Sequence, residues 1–103
     1  MGETFTLRYL PLFEWDIVSA RNYIAKNLQN PDAALRLVED TEKAILKRLE
    51  NPLAFEPYRS SREREHPYYR INIRNYTVFY VVIGNVMEVR RFIYSKRDLP
   101  NIL

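Results

Sequence analysis

The side chains best able to do chemistry in this sequence are cationic and aromatic, and they gather in its second half. Arg70, the run Arg90-Arg91-Phe92 and the run Tyr94-Ser95-Lys96-Arg97 set guanidinium and ammonium groups among rings. Arginine offers a planar fork of donors that matches phosphate and stacks on aromatic faces. Residues 58–103 hold nine Lys/Arg, eight of them Arg, against four Asp/Glu, whereas residues 1–57 hold seven against nine. That asymmetry points to a polyanionic partner, either nucleic acid or an acidic protein segment, with a solvated basic surface as the alternative. Acid–base groups are scarce by contrast. His66 is the one histidine and there is no cysteine, which excludes disulfides, thiolate metal sites and histidine-cluster metal centres. Before Pro67, at the end of the charged run Arg59 to Glu65, His66 reads as a solvated loop residue rather than a general base. Neither a metal nor an organic cofactor is expected.

Elements must position these groups, and the pattern of apolar residues says which. Thr4 to Tyr9 alternates with period two and reads as a strand with Phe5, Leu7 and Tyr9 on one side. From Leu12 to Leu28 the residues Phe13, Ile17, Ala20, Ile24 and Leu28 form the stripe of an amphipathic helix. Asn30-Pro31-Asp32 starts a second helix with a cap, a proline in the first turn and an acid facing the dipole. Asn51-Pro52 ends it, so two helices joined by a short loop pack as an antiparallel hairpin.

The remainder reads as β-structure. Gly84-Asn85 marks a two-residue hairpin that sets Val82 opposite Met87, Tyr80 opposite Val89, Val78 opposite Arg91 and Tyr76 opposite Ile93. Arg74-Asn75 turns an earlier strand, Tyr68 to Ile73, into the same sheet, with Ile71 against Val78 and Tyr69 against Tyr80. The two registers agree. One face collects Tyr69, Ile71, Ile73, Tyr76, Val78, Tyr80, Val82, Met87, Val89 and Ile93, a core for the helix hairpin to cover. The other face, with no helix left for it, carries Tyr68, Arg70, Asn72, Thr77, Phe79, Val81, Glu88, Arg90, Phe92 and Tyr94. Such a face suits RNA, an amphipathic peptide or a second copy of the chain, or the sheet curls and buries Phe79 and Val81 on itself. Arg91 falls on the core face, where an unpaired charge is costly; an ion pair with a carboxylate such as Asp16 or Asp98 is expected.

The fold class is therefore α+β, in the order β-α-α-β-β-β, with the helix hairpin on one face of a small, mostly antiparallel sheet. At 103 residues, 47% of them apolar, the chain forms one domain, 1–103. Its longest apolar stretch, Val78 to Ile83, is far short of a bilayer span, and Met1-Gly2-Glu3-Thr4 lacks the features of a signal peptide. A soluble, cytoplasmic protein is expected.

The stretch Tyr69-Arg70-Ile71, then Asn75-Tyr76-Thr77-Val78-Phe79-Tyr80-Val81-Val82, then Val89-Arg90-Arg91-Phe92-Ile93-Tyr94-Ser95-Lys96-Arg97-Asp98 resembles the RelE/ParE superfamily of bacterial toxins. The first half is similar too: a short strand, an acid-containing helix ending near Tyr23-Ile24, an Asn-Pro helix start with Ala33-Ala34, and a Leu49-x-x-Pro52 exit. The resemblance implies a growth-inhibiting toxin of a type II toxin–antitoxin module, of the plasmid-stabilisation type, held inactive by a cognate antitoxin encoded beside it. The RelE-like branch enters the ribosome and cleaves mRNA; the ParE-like branch poisons DNA gyrase. Arg70 stands where RelE-like enzymes place a basic residue on the open face, and Lys96 or Arg97 stands near their basic residue after the last strand. Asn72 and Thr77 depart from that branch, which has further Lys or Arg there. RNA cleavage without metal or histidine needs several cations at the developing phosphorane charge. Tyr94 replaces the His that ParE-like chains often carry, and a phenol is a poor base at neutral pH. The helix hairpin and the ending Arg97 to Leu103 look closer to ParE, which implies gyrase as the target and these two elements as its contacts. The alternative implied is a ribosome-dependent mRNA interferase, with Arg70, Tyr94 and Lys96 catalytic. Target- or nucleic-acid-binding residues would be Arg70, Arg90, Arg91, Phe92, Tyr94, Lys96 and Arg97. In either case an amphipathic antitoxin segment covers the open face or the helix hairpin.

Overall fold

Two prolines start the two helices. The computed structural model describes residues 4–58 and 65–97. After strand β1 (Thr6–Tyr9), Pro11 opens α1 (Pro11–Asn22) from Leu10, whose backbone is still extended; Pro31 opens α2 (Pro31–Leu49). Proline suits a first turn because its missing N–H would have no partner there. The Asn30 side chain caps α2, accepting from the Ala33 N–H at 3.1 Å. Strands β2 (Tyr69–Ile73), β3 (Tyr76–Ile83) and β4 (Val86–Tyr94) follow, completing the expected order of elements. The expectation of one helix from Leu12 to Leu28 is corrected in one respect. After Asn22 the backbone widens into a π-helical turn, Tyr23–Asn27, in which the Leu28 N–H reaches back to the Tyr23 carbonyl. Gln29 then takes a left-handed φ of 50° to leave it.

The sheet runs β1-β4-β3-β2. Strand β1 joins β4 in parallel, from Thr6 opposite Val86 to Tyr9 opposite Val89, while β2, β3 and β4 are antiparallel. The β2–β3 register is the expected one, with Tyr69 opposite Tyr80 and Ile71 opposite Val78. In the β3–β4 hairpin, Gly84 turns the chain at φ 61°, and Val82 meets Met87 and Tyr80 meets Val89 as expected. Beyond that point the expected register is overturned. A bulge at Arg90 inserts one residue into β4, so Phe79 meets Arg91, Val78 meets Phe92, Thr77 meets Ile93 and Tyr76 meets Tyr94.

One extra residue exchanges the two faces of a strand. Phe92, expected on the open face, is buried in the main core, where Phe13 packs edge-on at 6.1 Å and Tyr76 stacks at 4.8 Å. Ile93, expected in that core, lies on the opposite face with Phe79 and Val81. The energetic reason is plain: a straight register would put Arg91 under the helices and Phe92 in water. The main core otherwise holds Phe13, Ala20, Leu37 and Ile45 of the helices against Tyr69, Ile71, Val78, Tyr80, Met87 and Val89 of the sheet.

The second face is not bare, which corrects the expectation of an open apolar surface. Phe79 and Val81 have no solvent exposure. The chain after α2 returns across this face, and the Tyr58 N–H donates to the Tyr68 carbonyl at 2.6 Å. Tyr58 and Tyr68 then cover Phe79 edge-on, at 5.4 and 5.9 Å. This makes a second, smaller core.

Candidate functional site

The bulge divides the expected site residues between the two faces. Arg70 lies exposed on β2 at the sheet edge, its guanidinium 5.4 Å from the Tyr58 ring. Its carbonyl accepts from Arg48 Nη1 at 3.1 Å. Arg90 stays on the same second face, where its Nε donates to Glu88 Oε1 at 2.8 Å. Glu88 is buried and also accepts from Arg8 Nε at 2.8 Å, across the parallel β1–β4 pair. Burial raises the Glu88 pKa, but hydrogen bonds and charge from Arg90 and Arg8 more than offset it, so the carboxyl titrates below its ordinary range. Asn72, Thr77 and Ser95 extend this face as a chain of hydroxyl and amide contacts at 3.1 and 3.0 Å.

Arg91, paired in register with Phe79, reaches across to α1. It donates to both oxygens of Asp16 on α1, Nε at 2.8 Å and Nη2 at 3.2 Å. Of the two acids expected as its partner, Asp16 takes that role and Asp98 lies outside the described residues. Tyr94 stands edge-on to Tyr76 at 5.6 Å, beside the end of α1 rather than with Arg70. Lys96 and Arg97 are exposed in the turn after β4, where the Arg97 N–H donates to the Tyr94 carbonyl at 3.0 Å. The closing run Asp98 to Leu103 and the charged stretch 59–64 lie outside the described residues. The expected residues therefore form two groups: Arg70 with Arg90 on one face, and Tyr94 with Arg97 at a corner of the other.

Two features were not read from the sequence. Leu12, Trp15 and Val18 form an exposed apolar row on the outer side of α1, with Trp15 70% exposed. Their three-residue spacing was the available signal, hidden because the inward stripe of Phe13 and Ile17 shares the same helix. Between α1 and α2 runs a groove lined by Tyr9, Phe13, Ile17, Val38 and Ile45, with Glu14 and Glu42 at its edge. Burial, and then the charge of Glu42, raise the Tyr9 pKa. Among the described residues no three His, Asp or Glu side chains gather as a metal site, and no helix is long and apolar enough to cross a membrane.

The model of the family described as the ParE toxin of the type II toxin-antitoxin system, parDE, matches residues 7–99. The chain belongs to the ParE toxin family. It is the toxin of a type II toxin–antitoxin module, and its partner is a cognate antitoxin. A solved chain from the chromosomal ParDE toxin–antitoxin system of P. aeruginosa superposes with a TM-score of 0.71 at 16% identity. The match covers 92% of this toxin and 100% of that chain, which shares its fold. No curated protein sequence matches.

Proposed function

We propose that the toxin stops growth by binding DNA gyrase, with the helix hairpin as a contact element and no nuclease chemistry of its own. The observation that carries this reading is that two of the expected cations are paired with carboxylates and the others are divided between separate places. A metal-free ribonuclease must aim several uncommitted cations at the developing phosphorane charge. Here Arg90 is held by Glu88 and Arg91 by Asp16, while Tyr94 stands on the face opposite Arg70. The exposed row Leu12, Trp15 and Val18 supplies an apolar contact patch of the kind that marks protein interfaces.

The test is a supercoiling assay with purified gyrase and toxin, run beside pulse labelling of DNA and protein synthesis after induction of the toxin alone. Inhibited supercoiling with early arrest of DNA synthesis is expected. Early arrest of translation, with mRNA cut in phase with codons, would replace this reading with the ribosome-dependent nuclease.

A further inference from the structure

A second trough, opposite in charge to the hairpin groove, lies where the π-helical turn meets the end of β4. Its floor is aliphatic and aromatic: Ile24, Leu28, Ala33, Leu37 and Tyr76. It runs on past Asn75 to Tyr23, Tyr94 and Arg97. Leu28 and Tyr23 are more than half exposed, an arrangement held by a π-turn and by a left-handed Gln29, both of which concentrate at functional sites. Among the described residues no acid lines this trough, and the charged ones that do are Arg74 and Arg97. Arg74 is paired with Asp40, whereas Arg97 meets no carboxylate among the described residues.

We infer that this trough receives a segment of the cognate antitoxin that sets an aliphatic side chain beside a carboxylate. The inference rests on the toxin reading for its partner and on the trough for its chemistry. An aliphatic floor takes leucine or isoleucine, and the Arg97 guanidinium at the open end takes the acid. Single-stranded nucleic acid fits less well, because a strand presents successive phosphates and needs a row of cations, not one. The hairpin groove, edged by Glu14 and Glu42, disfavours the same acidic segment, so charge fixes where it lies.

Leu28 allows a clean test because it is exposed and contacts the occupant without holding the fold. The affinity of full-length toxin for the antitoxin encoded beside it is measured by calorimetry for the wild type, Leu28→Glu and Leu28→Lys. Leu28→Glu is expected to weaken binding by about tenfold or more, and Leu28→Lys by less than about threefold, since like charge is excluded and opposite charge tolerated. Equal losses, or no loss in either variant, would overturn the proposal. So would an oligothymidylate that binds the trough and competes with the antitoxin. Growth inhibition by each chain expressed alone is read separately: both variants stay toxic. A wild-type chain that fails to inhibit growth would sink the toxin reading while leaving the affinity pattern to judge the trough.

Discussion

Asp16 and Arg91 meet at 2.8 Å over the stretch of β4 that β1 does not reach. Strand β1 covers β4 only as far as Val89, so beyond it, among the described residues, the β4 edge away from β3 meets α1 rather than a strand. Asp16 fills that gap by accepting the Phe92 N–H at 3.0 Å as well as the Arg91 guanidinium. One carboxylate thus closes a sheet edge and neutralises the arginine that follows the bulge.

Replacing Asp16 with Ala should cost about 2–4 kcal/mol, because it strands both a largely buried guanidinium and a backbone donor. Arg91→Ala should be destabilising for the matching reason. Urea unfolding of the two single variants and the double variant gives their coupling, expected at about 1–3 kcal/mol. Unfolding midpoints equal to wild type would refute the structural role.

Acid should loosen the second face. The Glu88 pKa is lowered in the fold, so its contribution is fully present above the ordinary carboxylate value of about 4.3 and is lost as pH falls through the lower folded value. Melting temperature followed from pH 7 to pH 3 should drop in this window for the wild type. Glu88→Gln should start lower at pH 7, and its gap from wild type should close on acidification. A gap that is constant across the range would count against the pairing with Arg8 and Arg90.

Trp15→Ser separates target contact from stability. The ring is 70% exposed, so the unfolding midpoint should stay within experimental scatter of wild type. The concentration needed to inhibit gyrase should rise by about tenfold or more if the ring is a contact anchor. Unchanged inhibition would move the contact off the outer side of α1.

Arg70→Ala discriminates between the two targets. A gyrase poison should keep its growth inhibition to within about twofold, since Arg70 is an exposed edge residue set against the Tyr58 ring, with its carbonyl accepting from Arg48. A loss of about a hundredfold with the fold intact would restore the phosphate-holding role.

The contrast between the two hairpins shows what the sequence could reveal. The β2–β3 register followed from alternation and a turn, because Tyr69, Ile71, Ile73, Tyr76, Val78 and Tyr80 all fell on one side. The β3–β4 register followed the same rule only to Val89. Its failure was visible as a conflict: a straight strand put Arg91 under the helices and left Phe92 outside. A one-residue bulge resolves both at once, but alternation alone assumes a constant period of two. The cover on the second face was harder to foresee. Tyr58 sits in a proline-bounded stretch without periodicity, and only the fold brings it beside Phe79. The parallel pairing of β1 with β4 was likewise hidden, since Arg8 and Glu88 are 80 residues apart.

That separation matters while the toxin is being made. Strand β1 pairs with a strand made some 80 residues later, and at roughly 5–20 residues per second it waits on the order of 4–16 s for Val86 to Val89 to emerge. During that interval α1 and α2 can form, but the sheet that anchors them lacks its final partner, and Asp16 has no Arg91 to meet. A ribosome that stalls or terminates before β4 therefore releases a chain with unpaired edges and an unfinished core, not a partly active poison. The topology ties the completion of this core to the emergence of β4.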